Sequence, residues 1–301
     1  MKTIRNTDVI FSFKPKMDPI ERVKPGEVLK FVTNDCFYGQ LTSEMQSLEE
    51  LDYSKVNPAT GPVYIEGAED GDLLKVKILS IQIDSAGMGL TMAGQGILSH
   101  NADNTLPKVL PIENGHCLFN DIAIPIDPMI GVIGVAPSDE DGECPTAVPW
   151  KHGGNMDTSD IREGSTLYFP VKQEGALLAL GDLHAVMGDG EVCFAGCEIA
   201  GEVILQVDLI KNATATWPLV ETHEATMIIA SGNTLEEATI EATEQAVGYL
   251  NRGLDISWEE AYILASLIMD LKFSQVVNSE KTVRSAIPKY ILPTETLLKT
   301  L

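Results

Sequence analysis

Leu73-Leu74-Lys75-Val76-Lys77-Ile78-Leu79-Ser80-Ile81-Gln82-Ile83 is the run whose reading decides the fold. Val76 and Ile78 are two apart, and so are Ile81 and Ile83, with polar residues interleaved. A period of two sets alternate side chains on a core and in water, which describes a strand rather than a helix. The phase slips by one residue between the two pairs. That slip predicts a β-bulge near Leu79-Ser80.

Outward from this run, short strand-like segments recur. Asp8–Phe13 ends at Lys14-Pro15, and Val28–Thr33 follows the turn Lys24-Pro25-Gly26-Glu27. Further strands are predicted at 109–112, 117–126, 167–171, 176–180, 191–199 and 203–210. Residues 85–106 are Gly- and Ser-rich and read as a long loop. Residues 41–58 carry a weak helical pattern on Leu48, Leu51 and Tyr53. Many short strands separated by turn signals indicate a sandwich or barrel.

The pattern changes after about residue 222. Thr234-Leu235-Glu236-Glu237 has the form of a capping box, and Leu235, Ala238, Ala242, Ala246 and Leu250 follow at helical spacing up to Gly253. Ser257-Trp258-Glu259-Glu260 repeats the device ahead of Ala261, Leu264, Leu267, Ile268 and Leu271. The expected organisation is therefore a β-rich, sandwich-like body over 1–222 that carries the active site. An α-rich segment over 223–301, with a helical hairpin, packs on it.

At 301 residues and 44% hydrophobic, the chain can bury a full core. Its formal net charge is −23, from 44 acidic and 21 basic residues. Such a surface repels phosphate backbones and anionic bilayers, so neither nucleic acid nor membrane is an expected partner. No stretch reaches the ~18 apolar residues of a membrane span, and Met1–Asp8 lacks the apolar core of a signal peptide. The five cysteines (Cys36, Cys117, Cys144, Cys193 and Cys197) are odd in number and form no C-x-x-C pair. This usage predicts free thiols in a reducing cytoplasm. Cys193 and Cys197, on a strand-like run, are expected in the core.

Gly181-Asp182-Leu183-His184-Ala185-Val186-Met187-Gly188-Asp189-Gly190-Glu191 carries the densest chemistry. Asp182 and His184 are two apart, as are Asp189 and Glu191, so on an extended backbone each pair leaves one face. Carboxylates and imidazole in this density suit a divalent metal or acid/base work. His152-Gly153-Gly154-Asn155-Met156-Asp157 is a second such stretch, and Asp35 stands at a strand end beside Cys36. The expected metal ligands are drawn from Asp35, His152, Asp157, Asp182, His184 and Asp189, with zinc or calcium as the ion. Glu191 or Glu66 is the candidate base, and Asn155 and Gln40 are the candidate substrate-binding amides. Cys36 is an alternative, thiol nucleophile. A non-catalytic sandwich that binds a cation or small ligand is the competing class.

Several stretches together resemble the acetamidase/formamidase family: Thr60–Glu69, Gly131–Pro137, His152–Asp157, Gly181–Glu191, Ser274–Asn278 and Ile287-Pro288-Lys289. The resemblance covers nearly the whole chain. It implies a β-sandwich-like body with α/β additions, hydrolysis of short aliphatic amides such as formamide and acetamide with release of ammonia, and an oligomer. The apolar stripes of the two helices and the sheet edges make a homodimer, or an assembly of dimers, the expected form.

Overall fold

The structure is a computed structural model describing residues 1–301. It is mainly β, with three helices near the C-terminus. Two large sheets face each other. The first has nine strands in the order Lys2–Ile4, Val28–Thr33, Gly201–Ile210, Leu73–Ile83, Thr166–Pro170, Leu219–Glu221, Ala225–Gly232, Lys281–Pro288 and Asp270–Gln275. The second is built around Leu178–His184. That strand pairs antiparallel with Met129–Gly134, Ala59–Ile65 and Glu198–Ile199, and Gly153–Asn155 continues the sheet beyond Met129–Gly134.

The alternating run forms the strand Leu73–Ile83. Its register against Gly201–Ile210 shifts where Ile204 faces Ser80 and Leu205 faces Ile78. Leu79 is the extra residue, so the bulge stands where the phase change put it. Leu29, Phe31, Val76, Ile78, Val203 and Leu205 of the first sheet close on Ile130, Ile133, Leu178, Leu180 and Leu183 of the second in one core of 36 buried residues. The sandwich owes its cohesion to this dry layer.

Helix α1, Leu235–Leu254, covers the outer face of the first sheet. Ala238, Ala242 and Ala246 are small enough to bring it close to Ile228, Ala230 and Val283 in a second core. The strands beneath it are therefore buried on both faces. Thr234 caps α1 by accepting from Glu237 N, but Glu237 reaches back to Asn233 N rather than completing the box. Helix α2, Trp258–Ile268, has the complete capping box on Ser257 and Glu260. α3, Thr294–Leu298, is short.

Several local expectations are corrected. The segment 191–199 is mostly loop. Only Glu198–Ile199 pairs, because Glu191 and Phe194 take positive φ, 47° and 93°, which breaks extended pairing. Cys193 is accordingly exposed, while Cys197 is buried. Within 85–106, Ala86–Thr91 is a strand paired to Leu106–Glu113. α1 runs past Gly253 to a left-handed cap at Asp255. Leu271 belongs to an edge strand, not to α2. The residues after α2 return to the first sheet as the hairpin Asp270–Gln275 and Lys281–Pro288. That sheet is continuous across residue 222, through the pairing of Leu219–Glu221 with Ala225–Gly232. No helix is long and apolar enough to cross a membrane.

Candidate active site

Leu178–His184 delivers Asp182 and His184 to the end of the second sheet. Asp157 follows the short strand Gly153–Asn155, Glu191 stands in the loop after His184, and Glu198 opens the next strand. His184 Nε2 lies 3.2 Å from Glu198 Oε2, 3.6 Å from Asp182 Oδ1 and 3.9 Å from Asp157 Oδ1. All five residues are buried. Asp157, His184 and Glu191 each offer a ligand atom within 4.8 Å of the others, and so, as a second group, do Cys36, Asp182 and Glu198.

The backbone is shaped to allow this crowding. Asp157, Asp182 and Glu191 all take the left-handed conformation, at φ 40°, 55° and 47°. Residues other than glycine rarely do so, and the strain concentrates at functional sites. Asp182 and His184 do converge, though Asp182 departs from regular strand geometry. Gly131 supplies the space between carboxylates. A Cβ there would stand 2.6 Å from Asp157 Oδ1 and 2.8 Å from Asp182 Oδ2. Any side chain at 131 must push one of them away.

The electrostatics follow from burial. Asp157 and Asp182 are each pushed up to about 6, first by burial and then by a neighbouring charge: Asp182 for the former, Glu198 for the latter. Burial, followed by the charge of Asp157, holds the Glu191 carboxyl well above its ordinary range. Burial opposes a charge on His184, yet Glu198 and Asp182 outweigh it and raise the imidazole well above normal. No lysine or arginine neutralises the group. Asp157 Oδ1, Asp182 Oδ1, Glu198 Oε2, His184 Nδ1 and Asn155 Oδ1 are buried without a hydrogen-bond partner. Buried polar atoms of this kind call for a partner. Carboxylate oxygens around one imidazole nitrogen are the donor set of a divalent metal, so the residues present fit such an ion.

Beside the cluster lies a cavity of about 130 Å³. Asp182, Glu191, Glu198, Asn155 and Asn278 form its polar end, and Phe37, Leu90, Met92 and Phe194 are on its apolar wall. At ~30 Å³ per water this is room for roughly four waters, which suits a ligand of a few heavy atoms. A larger polar groove of about 830 Å³, by Glu163, Lys272 and Tyr290, holds none of the converging groups.

The other sequence candidates fall elsewhere. Asp189 is half-exposed and accepts from Arg284 Nη2 at 2.7 and 2.8 Å, so its i, i+2 relation to Glu191 does not bring the two together. Glu66 is exposed on the turn after Ala59–Ile65. Gln40 is spent on the backbone of Asp52, its Oε1 accepting from Asp52 N at 2.8 Å. Asp35 caps its own turn by accepting from Phe37 N and Gly39 N, and burial raises its carboxyl. His152 is buried against Phe13, and burial brings its imidazole down to about 4. It belongs to neither converging group.

Two site residues escaped the sequence reading. Glu198 had a signal, a lone carboxylate between Cys197 and Ile199 in an apolar run. Asn278 comes from the distant C-terminal hairpin and donates through Nδ2 to Asp157 Oδ2 at 3.0 Å. Cys36 does line the cavity, with its thiol held far above the ordinary range by burial and then by Glu198.

Known proteins resemble the chain along most of its length. A formamidase of Methylophilus methylotrophus is 27% identical over 74% of this chain and 72% of its own length. An acetamidase of Mycolicibacterium smegmatis is 26% identical over 67% of the chain, which spans 66% of that relative. A solved structure described as a predicted acetamidase/formamidase from Thermoanaerobacter tengcongensis superposes with a TM-score of 0.95. It is 43% identical over 98% of each chain. An acetamidase of Bacillus halodurans gives 0.94 at 40% identity, over 98% of this chain and 99% of that one. The Acetamidase/Formamidase family model matches residues 4–144 and 140–295. The chain therefore belongs to the acetamidase/formamidase family, whose members are hydrolases acting on amide bonds.

Proposed function

We propose that the chain hydrolyses short aliphatic amides, formamide and acetamide among them, to the carboxylate and ammonia by attack of an activated water. The observation that carries this reading is a buried, uncompensated set of carboxylates and one imidazole at the wall of a cavity sized for a few heavy atoms. Asp157, Asp182, His184 and Glu198 would hold a divalent ion, and the imidazole among them favours zinc over calcium. When bound there, such an ion supplies Lewis-acid polarisation of the amide carbonyl and lowers the pKa of a water.

The chain's own residues supply the rest. Glu191, at the polar end of the cavity, takes a proton from the attacking water and passes it to the leaving nitrogen. Its place beside Asp157 and His184 and on the cavity wall puts it within reach of both the water and the leaving nitrogen. Asn155 Oδ1, an unpartnered acceptor on the cavity wall, receives an N–H of the substrate amide. Asn278 fixes Asp157 through Oδ2 and leaves Oδ1 free. Phe37, Leu90, Met92 and Phe194 enclose the acyl carbon and limit its length.

The second reading is a thiol amidase, favoured by the place of Cys36 in the cavity wall. A nucleophilic cysteine needs its thiolate. The buried, carboxylate-flanked thiol stays protonated at neutral pH, so water is the stronger candidate.

Ammonia release from a panel of formamide, acetamide and propionamide, with metal analysis of the purified protein, tests the proposal. Release with bound zinc is expected. No release from any short amide, with zinc and calcium each supplied, overturns it. The assembly proposed is a homodimer, or an assembly of dimers, in a reducing cytoplasm. It is supported by exposed Trp258, Tyr262, Ile263 and Leu267 on α2 and by five free cysteines. A monomeric mass in light scattering at every salt concentration would count against it.

A further inference from the structure

Arg284 lies in the middle of the strand Lys281–Pro288 and is 1% exposed. Its guanidinium is fully committed, and none of its partners is a carboxylate of the cluster. Nε donates to Asp160 Oδ2 at 2.7 Å. Nη1 donates to Phe273 O at 2.6 Å and Ser274 Oγ at 3.3 Å. Nη2 donates to both oxygens of Asp189, at 2.8 and 2.7 Å, and to Ser159 Oγ at 3.2 Å.

The two acids it holds flank the site. Asp160 follows Asp157 on one loop, and Asp189 precedes Glu191 on another. Ser159 Oγ donates to Asp189 Oδ1 at 2.7 Å, which joins the loops directly. Both are also tied to the edge strand Asp270–Gln275. Thr158 Oγ1 donates to Ser274 Oγ at 2.8 Å, and Gly190 N donates to Ser274 O at 2.9 Å.

We propose that Arg284, Asp160 and Asp189 form a positioning unit in which one guanidinium sets the separation between the Asp157 loop and the Glu191 loop. The inference rests on the reading of Glu191 as the proton carrier. Asp157 and Glu191 are held at φ 40° and 47°, a conformation that persists only where the surroundings over-determine it. The arginine fork, fixed to the residues beside each, provides that constraint. It does so from outside the cluster, without placing a competing cation within it. Lysine cannot replace it: an ammonium is a point charge with three donors and no rigid fork.

Asp189→Asn is the first test, because its side chain is 41% exposed and the change keeps its size. The readouts are kcat and KM for acetamide, metal content, and thermal melting. We expect kcat to fall ~10-fold with KM within about twofold and metal retained. The same pattern should reach ~100-fold in Arg284→Lys, as displaced catalytic geometry predicts. Asp189→Glu should recover part of the rate. Folded Asp189→Asn with wild-type kcat, or a lower melting temperature with no change in kcat, overturns the positioning unit alone. If Arg284→Lys does not fold, Asp189→Asn decides. A wild-type protein that releases no ammonia from any short amide overturns both this inference and the hydrolytic reading on which it rests.

Discussion

Asp157 and Asp160 share one loop, and Asp189 and Glu191 share another, yet each pair is divided between opposite environments. Asp160 and Asp189 meet Arg284, with every donor of the guanidinium taken. Asp157 and Glu191 face two further carboxylates and an imidazole, with no lysine or arginine among them and with an orphaned oxygen on Asp157. The first arrangement is what a fold does with buried charge when it must be stable: it pairs it and hydrogen-bonds it. The second is what remains when the partner comes from outside the chain. Neighbouring acids can thus be sorted into framework and reactive groups by asking which ones the protein has already compensated.

The largest expected effect falls on the uncompensated set. His184→Ala and Asp182→Asn should each abolish amide hydrolysis while the far-UV circular dichroism stays native. Near-wild-type kcat with full metal content in either variant would remove it from the site. On the compensated set stability is lost along with rate. Arg284→Ala strands Asp160 and Asp189 and should destabilise by ~3–5 kcal/mol in urea unfolding, whereas Asp182→Asn in metal-free protein should not destabilise at all. Equal losses in the two variants would erase the distinction.

A smaller effect should appear with pH. Asp157 and Asp182 titrate near 6 in the fold, against an ordinary value of 3.8. The folded state therefore binds more protons than the unfolded state between about 4 and about 6. In metal-free protein their contribution to stability falls as pH rises through that window. Asp182→Asn should flatten the slope. His152, brought down to about 4, pulls the other way in both proteins and cancels in the difference. An unchanged slope would mean that the carboxylates are not crowded as described. The smallest effect is expected at Cys36, where alanine should leave most of the activity. A covalent acyl adduct on Cys36 in mass spectrometry would instead make the thiol the nucleophile.

Much of this contrast was hidden in the sequence. The alternating run 73–83 exposed the sandwich, down to its bulge, because one side of a strand faces a dry core and the other does not. Asp182, His184 and Glu191 were visible as polar residues crowded among glycines. Asp189 was equally visible and has a different role, because its partner is Arg284, 95 residues further on, and spacing says nothing about partners that remote. The hairpin that carries Arg284 was itself obscured. Asp270–Gln275 is an edge strand that turns Leu271 and Phe273 outward, 49% and 52% exposed, which inverts the usual pattern. Lys281–Pro288 is buried almost throughout despite its lysine, arginine, threonine and serine. Glu66 and Gln40 looked suitable by residue type alone. Only backbone geometry showed that one is on an outer turn and the other is occupied in holding a loop.

The bond from Asn278 to Asp157 spans 121 residues of chain. A contact this remote in sequence carries a loop-closure cost that must be met before it contributes. The centre is therefore not finished until the hairpin that carries Asn278 has docked. A ribosome must also release residue 278 before the Asp157 loop meets this anchor. Chains truncated before residue 278 lack the contact that finishes the centre.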